Sequence, residues 1–275
     1  MACRVPPVPD AVFEREGDLF HATELARGPW DPAAQHGGAP AALLMRALER
    51  LQNESGGELL LARVTYEFLR PVPLGRLRVA AQTVRAGRRA ALLEGTIENE
   101  NGVELVRARA VRVKRAEMAE GAGPLADTDS PQARAGPQAA TPAEFFPTPE
   151  RPMFAMDAME IRFVAGGFAE LGPARAWFRM RVPLVAGEPA SPLQRVAAAA
   201  DFGNGISSIV PWENHLFINP DLTLYVGREP AGEWTQLDAR TRILPGGIGL
   251  AESVLEDERG AVGHATQALV VAGRG

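Results

Sequence analysis

The sequence predicts an α+β fold in which one unit, a helix followed by a long antiparallel sheet, occurs twice. Three observations predict it. A helix is marked once in each half, by apolar residues at helical spacing in the first and by a Ser-Pro start before an alanine-rich run in the second, and after each helix the period changes to two over runs separated by turn residues. Residues 64–113 also lie over residues 222–271 at a fixed shift of 158 without a gap, with Thr65/Thr223, Arg70/Arg228 and Gly102/Gly260 among the identical pairs. The identities follow the choice of register, so the matching turn positions and strand lengths carry more weight than they do.

In the first half, residues 11–35 hold a short strand-like stretch and the turn-rich loop Gly28-Pro29-Trp30-Asp31-Pro32. A helix follows, with Ala41, Leu44, Leu48 and Leu51 on one side and Arg46, Glu49 and Arg50 marking a wetter one, and Gly56-Gly57 is expected to end it. Strands are expected over 59–68, 76–84, 90–98 and 104–113, divided by Pro71 and Pro73, by Gly87, and by the hairpin signal Asn101-Gly102. Residues 116–152 are rich in Pro, Ala and Gly without apolar periodicity and read as an extended connector. The order then returns. Strands are expected over 159–164 and 174–182, then a helix with Ser191 as N-cap and Pro192 at its first position, running to Asp201. Strands over 216–226, 234–243, 249–256 and 264–271 complete the second half. The expected organisation is a first repeat over 1–115, the connector over 116–152 and a second repeat over 153–275.

Composition narrows the function classes. The 275 residues are 46% hydrophobic and 23% charged, as in globular proteins. A net charge of -5 argues against nucleic acid as partner, since phosphate binding calls for a basic excess. The arginines alternate with apolar residues, as in Leu105-Val106-Arg107-Ala108-Arg109-Ala110-Val111-Arg112-Val113, which reads as the solvated face of a strand. Cys3 is the only cysteine, so no intrachain disulfide can form, and a reducing, cytoplasmic compartment is expected. The proline-rich start lacks the apolar core of a signal peptide, and no run is long enough to span a bilayer. His21, His215 and His264 have no metal-ligand spacing, so no metal is expected.

Four features could carry chemistry. His36-Gly37-Gly38 stands directly before the first helix, where uncovered backbone N–H groups at the positive end of the helix dipole suit a carbonyl oxygen or oxyanion. It could equally be a helix entry that needs flexible backbone. Asp201 ends a run of small apolar residues that looks buried, where a carboxylate is costly without partners. Its bland alternative is a cap on the loop Gly203-Asn204-Gly205. Gln267 shares a strand face with Leu269 and Val271, as a functional group or as an edge-strand glutamine bonded to backbone. Asp31 and His36 have the D-x4-H spacing of a possible acid/base pair.

The segments GPWDPAAQHGGAPAALLMRALE (28–49), ADFGNGISS (200–208), FINPDLTLYVGREPAGEW (217–234) and GLAESVLEDERGAVGHATQALVV (249–271) resemble the type II acyl-CoA thioesterase family. The resemblance covers both halves and leaves out the connector. It implies a double hotdog fold, two central helices wrapped by one sheet, and thioester hydrolysis. It also implies catalytic roles for Asp201 and Gln267. The family's third member is a threonine, for which the best match is Asn219, a departure because an amide offers no hydroxyl. Single-hotdog thioesterases with an HGG helix start are similar at His36-Gly37-Gly38 and carry an acid nine positions later. Here that position is Met45, and nine before Asp201 stands Pro192, which has no N–H. The resemblance therefore implies one composite site. An acyl-CoA would be substrate, with its carbonyl at Gly37 and Gly38, His36 and Trp30 in the binding region, coenzyme A only as part of the substrate and no other cofactor. A homo-oligomer and a place in lipid metabolism are further expectations. Two alternatives remain: a hotdog enoyl-CoA hydratase using Asp31 and His36, and an acyl-CoA binder without turnover.

Overall fold

The structure, a computed structural model, describes residues 9–53, 59–116, 135–144 and 151–273. The first half opens with a hairpin, β1 (Phe13–Glu16) and β2 (Leu19–Ala22), turned at Gly17 with a positive φ. Helix α1 (Gly38–Glu49) follows, then β3 (Leu59–Phe68), β4 (Gly75–Arg85), β5 (Ala90–Asn99) and β6 (Glu104–Lys114). Beyond them come β7 (Thr141–Pro142), β8 (Met159–Ala165), β9 (Ala174–Met180), α2 (Pro192–Ala200) and α3 (Gly203–Ile206). The chain closes with β10 (His215–Ile218), β11 (Asp221–Val226), β12 (Thr235–Ile243), β13 (Ile248–Asp257) and β14 (Gly260–Gly273).

All these strands join one antiparallel sheet in the order β1-β2-β4-β5-β6-β3-β11-β14-β13-β12-β9-β8-β7, with β10 on the end of β14. The halves meet at the β3–β11 seam. There Thr65 lies opposite Thr223, their hydroxyls 3.2 Å apart, while Val64 faces Leu224 and Tyr66 faces Leu222. Adding 158 to 64 and 66 gives 222 and 224, so the pairs exchange and a local two-fold axis runs through Thr65 and Thr223. The sequence shift and the seam are one symmetry. This is the double hotdog fold, with both helices on the same side of a single sheet.

The gapless match fails in one strand. Thr83 faces Leu93 as Thr241 faces Ala251, which keeps the shift of 158. Leu93, however, faces Ala110 while Ala251 faces Gln267, a shift of 157. The second hairpin turns more tightly, with only Glu258 and Arg259 between paired Asp257 and Gly260, whereas Asn99 folds a longer turn by accepting the N–H groups of Asn101 and Val103. In that longer turn only Gly102 adopts a positive φ. Gln267 is thus the counterpart of Ala110, and Leu269 that of Arg112.

Helix α1 packs on β4 and β5, and α2 on β9 and β12. The core lies between helices and sheet, with Leu43, Leu44, Met45 and Leu48 against Tyr66, Leu77, Leu93 and Ile97, all fully buried or nearly so. The two helices run antiparallel and touch at backbone level: a Cβ on Gly38 would collide with the carbonyl oxygen of Ala198. Their contact faces are correspondingly alanine-rich.

Several expectations change. Helix α1 stops at Glu49, and Gly56-Gly57 lie outside the described residues. The Arg112 guanidinium ends it by donating to the carbonyls of Leu48, Glu49 and Leu51, a cation at the negative end of the helix dipole. Of the expected wetter side only Arg50 is exposed. Arg46 is buried in a bidentate pair with Glu188, and Glu49 is held by Ser191 and Gln194. The arginines of β6 divide: Arg107 and Arg109 face out beside Glu104 and Glu94, whereas Arg112 faces in. The strand expected over 216–226 breaks at Asn219-Pro220, because Pro220 has no N–H for the ladder. Within 116–152, residues 135–144 lie against the sheet, with β7 pairing β8 and the Ala135 carbonyl accepting from Trp177 Nε1. No helix among the described residues is long and apolar enough to cross a membrane.

Replacing Arg112 by leucine, the residue at its counterpart, removes the α1 cap and a positive charge that favours the Glu49 carboxylate. We expect a loss of about 2–3 kcal/mol in urea unfolding with an unchanged slope. A midpoint equal to the wild type would contradict the capping role.

Candidate active site

Asp201 is the C-cap of α2 and only 6% exposed. The antiparallel packing of the helices brings it against the start of α1, between one helix's negative end and the other's positive end. Asn219 Nδ2 donates to its Oδ1 at 2.8 Å, and Gln267 Nε2 reaches its Oδ1 and its backbone carbonyl at 3.4 Å each. His36 Nδ1 stands 3.1 Å from Oδ2. A Cβ on Gly37 would lie 2.7 Å from that same oxygen, so the approach of the carboxylate itself requires glycine there. The backbone of Gly37 is ordinary right-handed helix, so turn conformation is not the reason. Asp201 does not cap a loop at 203–205, since that segment is α3.

Each partner is fixed by its own element. Gln267, on β14, is almost fully buried and its Oε1 accepts the N–H of Asn204, while Asn204 Nδ2 donates to the Phe217 carbonyl. Gln267 is therefore a support behind Asp201, with both ends of its amide engaged. Asn219 sits at the break between β10 and β11, where its Nδ2 also donates to the Asp221 carbonyl at 3.0 Å. The break is locked by Asp221 Oδ1, which accepts the N–H of Ala268 on β14.

Burial decides the charges. It pushes the Asp201 carboxyl up to about 7, against the opposing hydrogen bonds of Asn219, the Gly38 N–H and Gln267. Burial pushes the His36 imidazole down to about 3. That ring packs against Phe202, at a centroid distance of 4.2 Å, and Phe154, at 5.2 Å. His36 is consequently neutral at pH 7 and Asp201 titrates near it. The Gly38 N–H points between His36 Nδ1, 3.0 Å away, and the carboxylate, so it is already engaged. The Gly37 N–H makes no hydrogen bond among the described residues. Of the two amides expected to receive a carbonyl, Gly37 is the one available.

These groups close the inner end of a cavity of about 530 Å³, lined by Trp30, His36, Gly37, Asp201, Phe202, Trp212 and Asn219 among others. Trp30 and Trp212 stack at 4.4 Å, and Phe217 packs edge-on against both. Asp31 lines the same cavity but is exposed, with its Oδ1 accepting the N–H of Ala33, so the D-x4-H pair is not formed. Among the described residues no three His, Cys, Asp or Glu gather in a way that could hold a metal.

The opposite helix junction corrects one expectation. Met45 lies in the core, yet the end of α1 does carry an acid, Glu49, four residues later. Its oxygens accept from the Ser191 hydroxyl at 2.7 and 2.8 Å and from Gln194 Nε2 at 2.8 Å. Ser191 thereby fills the place that Gly37 leaves open, and Ala110 stands where the other half has Gln267. Nothing in the sequence marks Phe154 or Trp212 as part of this site; Phe202 is marked only by standing beside Asp201 in ADFGNGISS.

Comparison with known proteins gives a consistent result. The acyl-CoA thioesterase N-terminal domain model matches residues 26–113, and the acyl-CoA thioesterase C-terminal domain model matches residues 129–271. Among solved structures, a candidate thioesterase II from Thermobifida fusca superposes with a TM-score of 0.70 at 16% identity, covering 96% of each chain. A hot dog fold protein of unknown function from Alicyclobacillus acidocaldarius gives 0.69 at 18% identity, covering 97% of each. An acyl-CoA thioesterase II from Mycobacterium marinum gives 0.62 at 14% identity, covering 95% of this chain and 94% of its own. At these identities the likeness is one of fold. No curated protein matches the chain in sequence.

The raised Asp201 value has a stability consequence. Folding holds the proton from about 7 down to the ordinary 3.8, so the wild type loses stability as the pH rises between those values. Asp201→Asn keeps the acceptor for Asn219, offers an N–H to His36 and carries no charge. It should melt above the wild type at pH 8, by a margin that narrows toward pH 4; equal margins at both pH values would contradict the buried, proton-holding carboxyl.

Proposed function

The chain belongs to the acyl-CoA thioesterase family, and we propose that it hydrolyses its acyl-CoA substrate at the α1–α2 junction with Asp201 as general base. The observation that carries this is the convergence of a carboxyl titrating near neutrality, an available Gly37 N–H and the Asn219 amide at the inner end of one apolar cavity. The acyl carbonyl would point at the Gly37 N–H, where the helix dipole favours the charge of the tetrahedral intermediate. Ionised Asp201 takes a proton from the attacking water. Both Asn219 Nδ2 hydrogens are engaged, so its Oδ1 is the group left to orient that water by accepting from it. A hydroxyl is not required for that task, which gives the amide a role in place of the family threonine. As the intermediate collapses, the carbon–sulfur bond breaks and protonated Asp201 returns the proton to the departing thiolate. Neutral His36, its Nδ1 accepting the Gly38 N–H, presents that same nitrogen to the protonated carboxyl of Asp201, and Gln267 keeps the carboxyl in place from behind.

No covalent intermediate and no cofactor beyond the coenzyme A of the substrate enter this scheme. The lone Cys3 suits a cytoplasmic site of action, and the outer strands β1 and β7 suit edge-to-edge association into a homo-oligomer. The exposed, separately engaged Asp31 gives the hydratase alternative no acid/base pair.

Thiol release from acyl-CoAs tests the scheme. Asp201→Asn should lower kcat by roughly 10²–10⁴-fold, the usual worth of a general base. Full activity in that variant, or tight acyl-CoA binding by the wild type without thiol release, would refute it. The base works ionised, so kcat/KM should rise with pH and level off above an apparent value near 7. A profile flat from pH 5 to 9 would contradict that.

A further inference from the structure

Resting on the thioesterase reading above, we infer that the acyl group is compact and ring-bearing, an aryl or arylalkanoyl thioester, and that Trp212 sets this preference from the cavity wall. The inner end of the cavity is shut. There the His36 ring packs against both Phe202 and Phe154, which also stack on each other at 6.0 Å, and α1 and α2 meet backbone to backbone at Gly38 and Ala198. The side chains of α1 that face the sheet are completely buried, so the packed interior leaves no channel for a long chain between helix and sheet. An acyl group whose carbonyl reaches Gly37 must therefore remain in the open cleft.

One wall of that cleft is aromatic, formed by Trp30 and Trp212 with the buried Phe217 behind them, while Leu69, Val72, Leu216 and Ile218 line the remainder. Trp30 and Trp212 stack with 15° between their planes, and Phe217 meets them at 87° and 72°. A further ring can join such a cluster in an offset or edge-to-face arrangement, which a flexible methylene chain cannot reproduce. The wall is also tied to the reacting groups. Trp212 packs on Gly205 in α3, which directly follows Asp201 and Phe202, and Trp30 stands on the loop leading into His36. A ring seated there is held in fixed relation to the thioester carbon, the geometry that raises rate rather than binding alone. The volume of about 530 Å³ lies in the ordinary small-molecule range of roughly 300–1,000 Å³.

The test is kcat/KM for thiol release by the full chain on benzoyl-, phenylacetyl-, hexanoyl- and palmitoyl-CoA. The best aromatic substrate should exceed palmitoyl-CoA by at least tenfold. Trp212→Leu should reduce the aromatic-to-hexanoyl ratio at least fivefold. Trp212→Phe, which keeps an aromatic face and removes an indole N–H that has no hydrogen-bond partner among the described residues, should retain the ratio and guards against a misfolded leucine variant. Preference for palmitoyl-CoA, or a ratio unmoved in Trp212→Leu, would overturn this inference and leave the thioesterase reading standing. Turnover of none of the four would overturn both.

Discussion

The structure depends on one contact, the abutment of the α2 C-terminus against the α1 N-terminus. It places a carboxylate within reach of a helix start, and it does so only because Gly37 has no side chain to obstruct Asp201. Burial at this contact raises the Asp201 carboxyl while the positive end of α1 and the Asn219 and Gln267 amides restrain the rise. The result is a group poised to exchange a proton near neutral pH. The surrounding sheet serves this contact: β14 supplies Gln267 from behind, and the break between β10 and β11 supplies Asn219 from the side.

The two-fold axis through Thr65 and Thr223 generates a second such abutment, and the chain has used it differently. There the helix start bears Ser191 and Pro192, the acid is Glu49, and the hydroxyl of Ser191 occupies the carboxylate directly. Arg112 stands where the other half has Leu269 and fastens the end of α1 to the sheet. One junction is a clamp with its polar groups satisfied by each other. The other leaves an amide and a carboxyl facing a cavity. The two copies of the fold thus differ at the same place, one junction closed by its own side chains and the other open to the cavity.

Much of this was legible in the sequence. Strands with one buried face imprint a period of two, and the seam's symmetry appears as the shift of 158 because Thr65 and Thr223 sit on the axis itself. Asp201 stood out as a charge among alanines. What escaped depends on distant partners. Glu49 read as a surface residue because nothing near it in sequence announces that Arg112 will end the helix there. The one-residue offset of β14 was masked by chance identities such as Ala110 with Ala268, although Gln267 gains its position from that offset. Trp212 follows a proline in an irregular segment, and its stacking on Trp30 joins residues from opposite halves of the chain.

The central claim is that catalysis requires the close approach of Asp201 to the start of α1. Gly37→Ala probes it alone, because the right-handed backbone at that position accepts alanine and only the carboxylate stands in the way. Measured on an acyl-CoA that the wild type turns over, the variant should lose on the order of 100-fold in kcat/KM while keeping its circular dichroism spectrum, since displacing a reacting group by about 1 Å has that cost. A folded Gly37→Ala protein with wild-type kcat/KM would contradict the account.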